Sequence, residues 1–379
     1  MDHRVVPFVG RWTREPDRFG RRKHRGMLNF TMNLRMRFKQ VVGSLAVLTL
    51  LSLSSGCGPV EVPNLITVGW PKKPITISCF AAAGGGTDAV SRLVAKLMKT
   101  ELGVNVSVVN RTSGRGGAAI NYVAVRVRDG YNWGGFSESM LTGSVLGITE
   151  ATASEWTFFM VAGAPGVISV PADSPYSDLA SLVEAAKANP KTIKVSAALT
   201  GGIWHTKLLA LQEAAGVEFQ FIPFNQGSQP SQLAALSGEV DAVLTSVSEQ
   251  AELIKGKKLR PLAMVEADGF SFPEVGDIPA AAELYPDVTK IPVSQFLGFA
   301  LPSDTPEPIL QRITEAFEKI MASDEVKQFC EERLLTLQGW HGDEANQRAV
   351  AAERAWVWKL DELGITVESP EAFEIPKPE

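Results

Sequence analysis

Short runs rich in β-branched residues alternate along this chain with stretches whose apolar residues recur at helical spacing, and glycine-rich turns stand at the joins. "ITISCF" (75–80) passes through "AAAGGGTD" (81–88) into a segment carrying Val90, Leu93, Val94, Leu97 and Met98. That i, i+3, i+4, i+7, i+8 spacing is the stripe of a helix with one buried side. "VNVSVV" (104–109), the turn "NRTSGRGG" (110–117) and a helix near 117–127 repeat the arrangement, and "GYNWGGF" supplies a third strand. "VISVP" (167–171), "IKVSAAL" (193–199), "VEFQFIPF", "EVDAVLT" and "KLRPLAMV" do the same in the second half, with helical stretches between. Alternation of this kind predicts an α/β fold of parallel sheets wound with helices. The 379 residues are enough for two domains of ordinary size.

The first 56 residues stand outside that pattern. "VVGSLAVLTLLSL" (41–53) is a short apolar run behind Arg35, Arg37 and Lys39, the layout of a secretory signal. It is shorter than the roughly 20 apolar residues of a spanning helix. Its exit, "LSSGC" (53–57), is similar to the lipobox of bacterial lipoproteins, with Ser54 where leucine is usual; cleavage before Cys57 and lipid on its sulfur are expected, with simple secretion as the alternative. Residues 1–31 fit neither a signal nor a domain, and a start codon chosen too far upstream would account for them. Residues 57–64 read as a tether. Residues 1–56 hold 11 Lys/Arg and 3 Asp/Glu, so the remaining chain has 26 basic and 39 acidic groups and a net charge near −13. Such acidity argues against nucleic acid as a partner. It also means that an anionic ligand must be held by local donors. Cys79 and Cys330 read as buried thiols or as a disulfide of an exported protein. The absence of CxxC and HxxxH spacing argues against zinc.

In open α/β sheets ligands sit where strands end and helices begin. Four such points are rich in glycine and hydroxyls: 81–88, 110–117, "LTGGIWH" (199–205) and "FNQGSQP" (224–230). The first turn of a helix leaves N–H groups unpaired and carries partial positive charge. Glycine lets those groups approach a carboxylate. Gly84, Gly85 and Gly86 therefore read as an anion cradle with a hydroxyl from Thr87; a tight turn with Thr87 as a helix cap is the structural alternative. Asp88 would compete for the same dipole, bond loop amides or meet an ammonium group. His205 reads as bonded to ligand or loop, or as a half-buried cap, and Trp204 as packing more than stacking.

Nucleotide motifs fail here. The glycines are followed by Thr87-Asp88 rather than G-K-[ST], and G-x-G-x-x-G is absent. Ser137 stands at a strand-to-turn corner, but Ser139 occupies the position where G-x-S-x-G needs glycine. Neither His205 nor His341 has an evident acid partner. The hydrolase reading stays as an alternative, and no enzyme is the expectation.

"WPKKPITISCFAAAGGGTDAVSRLVAKLM", "VVNRTSGRGGAAINYVA", "DGYNW", "GVEFQFIPFNQGS", "LSGEVDAV", "KLRPLAMV" and "FLGFALPSDTPEPIL" together resemble the solute receptors of tripartite tricarboxylate transporters, the Bug family. The resemblance implies a two-domain periplasmic-binding-protein architecture (type II, Venus-flytrap) with a hinge and an interdomain cleft. One domain would comprise residues 65–164 plus 293–379, the other 165–292. It implies a small organic anion in the cleft: a di- or tricarboxylate, an acidic amino acid or an aromatic acid. Ala82, Ala83, Gly84, Gly85, Gly86, Thr87 and Asp88 would hold it with Thr200, Gly201, Gly202 and His205. Ser137, Asn225, Gly227 and Ser228 would complete the cleft. Permease subunits and, through Cys57, the membrane are the implied partners of an extracytoplasmic monomer without cofactor or metal. A sensor serving a signalling partner is the remaining alternative. Ala83 replaces the family's usual proline, and the bulk of Ile203 and Trp204 implies a different or smaller ligand.

Overall fold

The computed structural model describes residues 69–378, apart from 225–227, 273 and 291–294. Cys57, Asn225 and Gly227 lie outside the described residues. Strand β1 (Ile75–Cys79) leads into α1 (Gly86–Leu102), and β2 (Val106–Asn110), α2 (Gly117–Ala124) and β3 (Asn132–Ser137) complete the first run. β4 (Trp156–Gly163) crosses to β5 (Gly166–Pro171). Then come α3 (Leu179–Ala188), β6 (Lys194–Ala198), α4 (Ile203–Ala215), β7 (Gln220–Phe224), α5 (Ser228–Leu236), β8 (Ala242–Ser246), α6 (Val247–Lys255) and β9 (Leu259–Met264). A small ribbon of β10 (Phe270–Phe272) and β11 (Gly276–Ile278) precedes β12 (Leu297–Pro302), α7 (Glu307–Met321), α8 (Asp324–Glu332), β13 (Thr336–His341) and α9 (Gly342–Glu362).

The long elements form two sheets, ordered β13-β4-β12-β3-β1-β2 and β7-β6-β8-β5-β9. Without β13, the two share one plan. Three parallel strands (β2-β1-β3, β7-β6-β8) are followed by one antiparallel strand (β12, β5) and a last strand antiparallel to it (β4, β9). The sequence pattern predicted parallel sheets; both are mixed. The reason is the connection between them. A strand arriving from the other sheet starts at the edge where the parallel strands end, so it runs against them. β4 reads nearly continuously apolar and β13 pairs with a shifted register, so neither alternates as a half-buried strand would.

Each sheet is buried on both faces. In the first, Phe299 stacks between Trp133 and Phe159 at centroid separations of 4.8 and 4.7 Å. Phe136, Trp156 and Phe158 fill the other face. In the second, Leu182, Val195, Leu208, Leu211 and Leu244 form the centre of one layer. Each such side chain contributes about 2 kcal/mol when removed from water. One helix ties the sheets together. Helix α9 packs Ala345, Ala349 and Ala352 against the first sheet and Trp356 into the core of the second, and its Lys359 pairs with Glu213 at 2.6 Å. At the β4–β5 crossing, buried Lys207 meets Glu266 at 2.7 Å and donates to the Val265 carbonyl, while Glu266 accepts the Gly166 N–H.

Candidate functional site

The parallel strands of each sheet end at the edge where the chain crosses between sheets, and the glycine-rich turns lie there. In the first sheet, Ala82 to Gly86 are exposed, whereas Thr87 and Asp88 are buried. Gly84 has φ +88 with open space where a side chain would stand. Gly85 occupies the N-cap of α1 without a side-chain cap, so Thr87 is not the cap. The first intrahelical bond joins the Ala89 N–H to the Gly85 carbonyl at 2.9 Å. The amides of Gly86, Thr87 and Asp88 therefore precede any acceptor in their own helix.

Asp88 turns back into this loop. Its carboxylate accepts the Gly84 N–H at 2.9 Å, Arg92 Nε at 2.9 Å and Asn110 Nδ2 at 2.8 Å. Burial opposes its ionisation, but Arg92, the Gly84 amide and Asn110 outweigh that and hold it down at about 2. The charge of Asp88 is thus spent inside the turn, and of the readings open from sequence the loop-amide bond is the one present.

The 199–202 turn is built on the same plan and differs in environment. Gly201 (φ +76) and Gly202 are buried, with Leu146 and Leu360 against Gly201. His205, third residue of α4 as Asp88 is of α1, accepts the Gly201 N–H on Nδ1 at 3.1 Å. Its ring stacks on Phe221 at 3.9 Å, and burial lowers it to about 4, so it is neutral at pH 7. The amides of Ile203, Trp204 and His205 precede the first bond of α4, from Thr206 N–H to Gly202. Trp204 packs in the core of the second sheet, beside Gly166.

The turns meet across the two sheets. Arg115, exposed with φ +57 between Gly114 and Gly116, extends Nη2 to the Thr200 carbonyl at 3.5 Å. Ser137 ends β3 and faces Leu297 across the ladder; a Leu297 methyl lies 3.5 Å from where a Cβ on Gly86 would be. Ser228 begins α5, and the Leu199 N–H bonds the Phe224 carbonyl at 3.3 Å. Ser137 Oγ accepts from the Ser139 amide at 3.4 Å. His341 bonds Gly339 and Glu318, and His205 bonds Gly201, so neither serves Ser137 as a base.

Glu138 was not singled out from the sequence. It is 1% exposed, and burial pushes its carboxyl up to about 7 despite its own amide and the Ser139, Gln295 and Ser137 side chains. An acid directly after a strand-end serine was the only signal of it. Among the described residues no group of three His, Cys, Asp or Glu is placed to hold a metal, and no helix is long and apolar enough to cross a membrane. Cys79 and Cys330 are separate, buried thiols. A hollow of about 480 Å³ between α3, α4 and α9 lies at the far end of α4 from its glycine turn.

The family described as "Tripartite tricarboxylate transporter family receptor" matches residues 90–359. A UPF0065 protein from the tcbD-tcbE intergenic region of Pseudomonas sp. (strain P51) is 28% identical over 260 residues, covering 68% of this chain and 76% of its own. A solved TctC solute-binding protein from Polaromonas superposes with a TM-score of 0.66 at 23% identity, covering 77% of this chain and 99% of that one. Rpa4515 of R. palustris, solved with adipate, gives 0.66 at 22%, covering 78% and 99%. These likenesses show the two-lobed fold of periplasmic binding proteins. With the family match spanning well over half its length, the chain belongs to the tripartite tricarboxylate transporter receptors, and is a solute-binding protein, not an enzyme.

Proposed function

We propose that the chain captures a small carboxylate-bearing organic anion between its lobes outside the cytoplasm and hands it to membrane permease subunits. The lobes of this reading are residues 65–164 with 293–379, and 165–292. The observation that carries it is the exposed Ala82–Gly86 turn at the start of α1, whose leading amides have no acceptor in the helix and face a helix dipole suited to an anion. The adipate bound to the similarly folded Rpa4515 supports a carboxylate as the guest. Carboxylate binding would draw first on the amides of Gly86 and Thr87, with Ser137, Thr200, Asn225, Gly227 and Ser228 completing the cleft. Gly84, Gly85, Gly201 and Gly202 contribute less, because Asp88, the Ala82 carbonyl, His205 and the Leu199 carbonyl already bond their N–H groups.

Calorimetry against di- and tricarboxylates, acidic amino acids and aromatic acids tests this directly. The expectation is micromolar binding of at least one, lost by 100-fold or more in Gly85→Val with the melting transition still cooperative. An unchanged affinity in that variant moves the site elsewhere. The anchor is a separate part of the reading. Cys57 carries the lipid, and Cys57→Ala releases the protein from the membrane fraction; a wild-type protein found wholly in the soluble fraction rejects the anchor and leaves the receptor. The protein is expected to elute as a monomer on gel filtration.

A further inference from the structure

The parallel pairing of β1 with β3 places the ends of both strands, and hence the 80–86 turn and Ser137-Glu138, at one edge of the first sheet. Cys79 is paired with Gly135, and the Phe80 N–H bonds the Gly135 carbonyl at 3.2 Å. Leu297 stands beside both turns: it is paired with Ser137, and one of its methyls lies 3.5 Å from where a Cβ on Gly86 would be. Glu138 is therefore one residue beyond a position already in register with the cradle. Its Oε1 accepts from Ser139 Oγ at 3.1 Å. Its Oε2 is buried and has no partner in hydrogen-bonding geometry among the described residues. A buried acceptor without a donor is costly, and a buried carboxylate more so. Beyond its own amide and the Ser139, Gln295 and Ser137 side chains, nothing among the described residues engages the carboxylate. It caps no helix and holds no cation, unlike Glu353, whose carboxylate accepts the Ala153 N–H, or Glu266, which is paired with Lys207.

A carboxylate guest on the α1 amides would bring its own negative charge to this edge. A plain hydrocarbon chain beside the guest's carboxyl would leave Oε2 as it is. A hydroxyl or ammonium group on the adjacent carbon would supply the donor, and sites with buried polar groups discriminate strongly against analogues that leave them unpaired. We propose that Glu138 is a specificity-determining residue of this site, selecting carboxylates that carry a hydrogen-bond donor, hydroxyl or ammonium, next to the bound carboxyl group. This rests on the carboxylate-receptor reading above. It concerns which carboxylates are taken and leaves the cradle itself unchanged.

Succinate, malate and aspartate share one skeleton and differ by hydrogen, hydroxyl or ammonium at one carbon, so they isolate the donor. Calorimetry on the full-length protein at pH 7.5 is expected to give malate or aspartate at least tenfold tighter than succinate. Glu138→Met should bring all three to within about twofold of one another. Glu138→Gln separates the donors: it removes an advantage of aspartate that comes from charge and keeps one of malate that comes from the hydroxyl. Because the readout is a ratio within one sample, a loss of folded protein lowers all three values together and leaves it unmoved. Succinate binding as tightly as both others overturns the assignment of Glu138 while the carboxylate receptor stands. A preference that persists in Glu138→Met does the same. Failure of all three to bind overturns this proposal; if other carboxylates of the wider panel also fail, the receptor reading falls with it.

Discussion

The turns before α1 and α4 are two versions of one device. Each ends a parallel strand, each has a glycine in the left-handed region, and each helix sends its third side chain back to the glycine amide four residues earlier. In the first lobe that side chain is an ionised Asp88 balanced by Arg92, and the turn is open to solvent. In the second it is a neutral His205 stacked on Phe221, and the turn lies under Leu146 and Leu360. The contrast teaches that glycine at a strand end serves two masters. In one turn it leaves amides accessible, and in the other it lets backbone pack tightly against side chains from distant parts of the chain.

The largest expected effect separates them by stability. Gly201→Val introduces a β-branched side chain at positive φ among Leu146 and Leu360 and should cost about 3 kcal/mol or more, read as a lowered denaturant midpoint. A loss below about 1 kcal/mol would mean that the second turn is not packed as described. His205→Ala removes the acceptor of a buried amide and leaves a gap beside Phe221; about 2 kcal/mol is expected from the same measurement.

Acid titration distinguishes the two side chains next. His205 is held below its ordinary value, so the unfolded chain binds the extra proton first. Its contribution is present above about 6.5 and lost as the pH falls through about 4. Asp88, also depressed, keeps its contribution above about 4 and loses it toward about 2. Buried Glu138 and Glu353, both raised to about 7, act in the opposite sense: their contribution is full below about 4.5 and lost as the pH rises through about 7. Melting temperature followed from pH 8 to pH 3 in His205→Gln should lack the acid-side fall between 6.5 and 4. In Glu138→Gln the loss toward pH 8 should flatten. An identical profile in either variant would contradict that residue's burial. The smallest effect belongs to the open turn, where Gly84→Ala meets no neighbour and bears only the strain of φ +88, about 1 kcal/mol.

What the sequence disclosed follows the same division. The helix stripe of Val90, Leu93, Val94, Leu97 and Met98 is local, and it is buried as read except for Leu97, which is half-buried. The strand ends and their glycines were equally visible, because turn chemistry depends on a few adjacent residues. The direction of β5 and β12 was not, since it depends on which sheet the chain comes from. Nor was the cover over Gly201, because Leu146 and Leu360 reach it only through tertiary packing. Trp204, read as packing, is in the core, whereas Glu138 was hidden because a side chain's identity says little about whether it is buried.

Helix α9 has a mechanical consequence. It is rooted by its alanines against one sheet and by Trp356, with no exposed surface, in the other. Parting the halves must therefore flex this rod or draw the indole out of its socket, at a cost of about 3 kcal/mol of lost burial. Any separation of the two sheets is thereby coupled to the bending of this one helix.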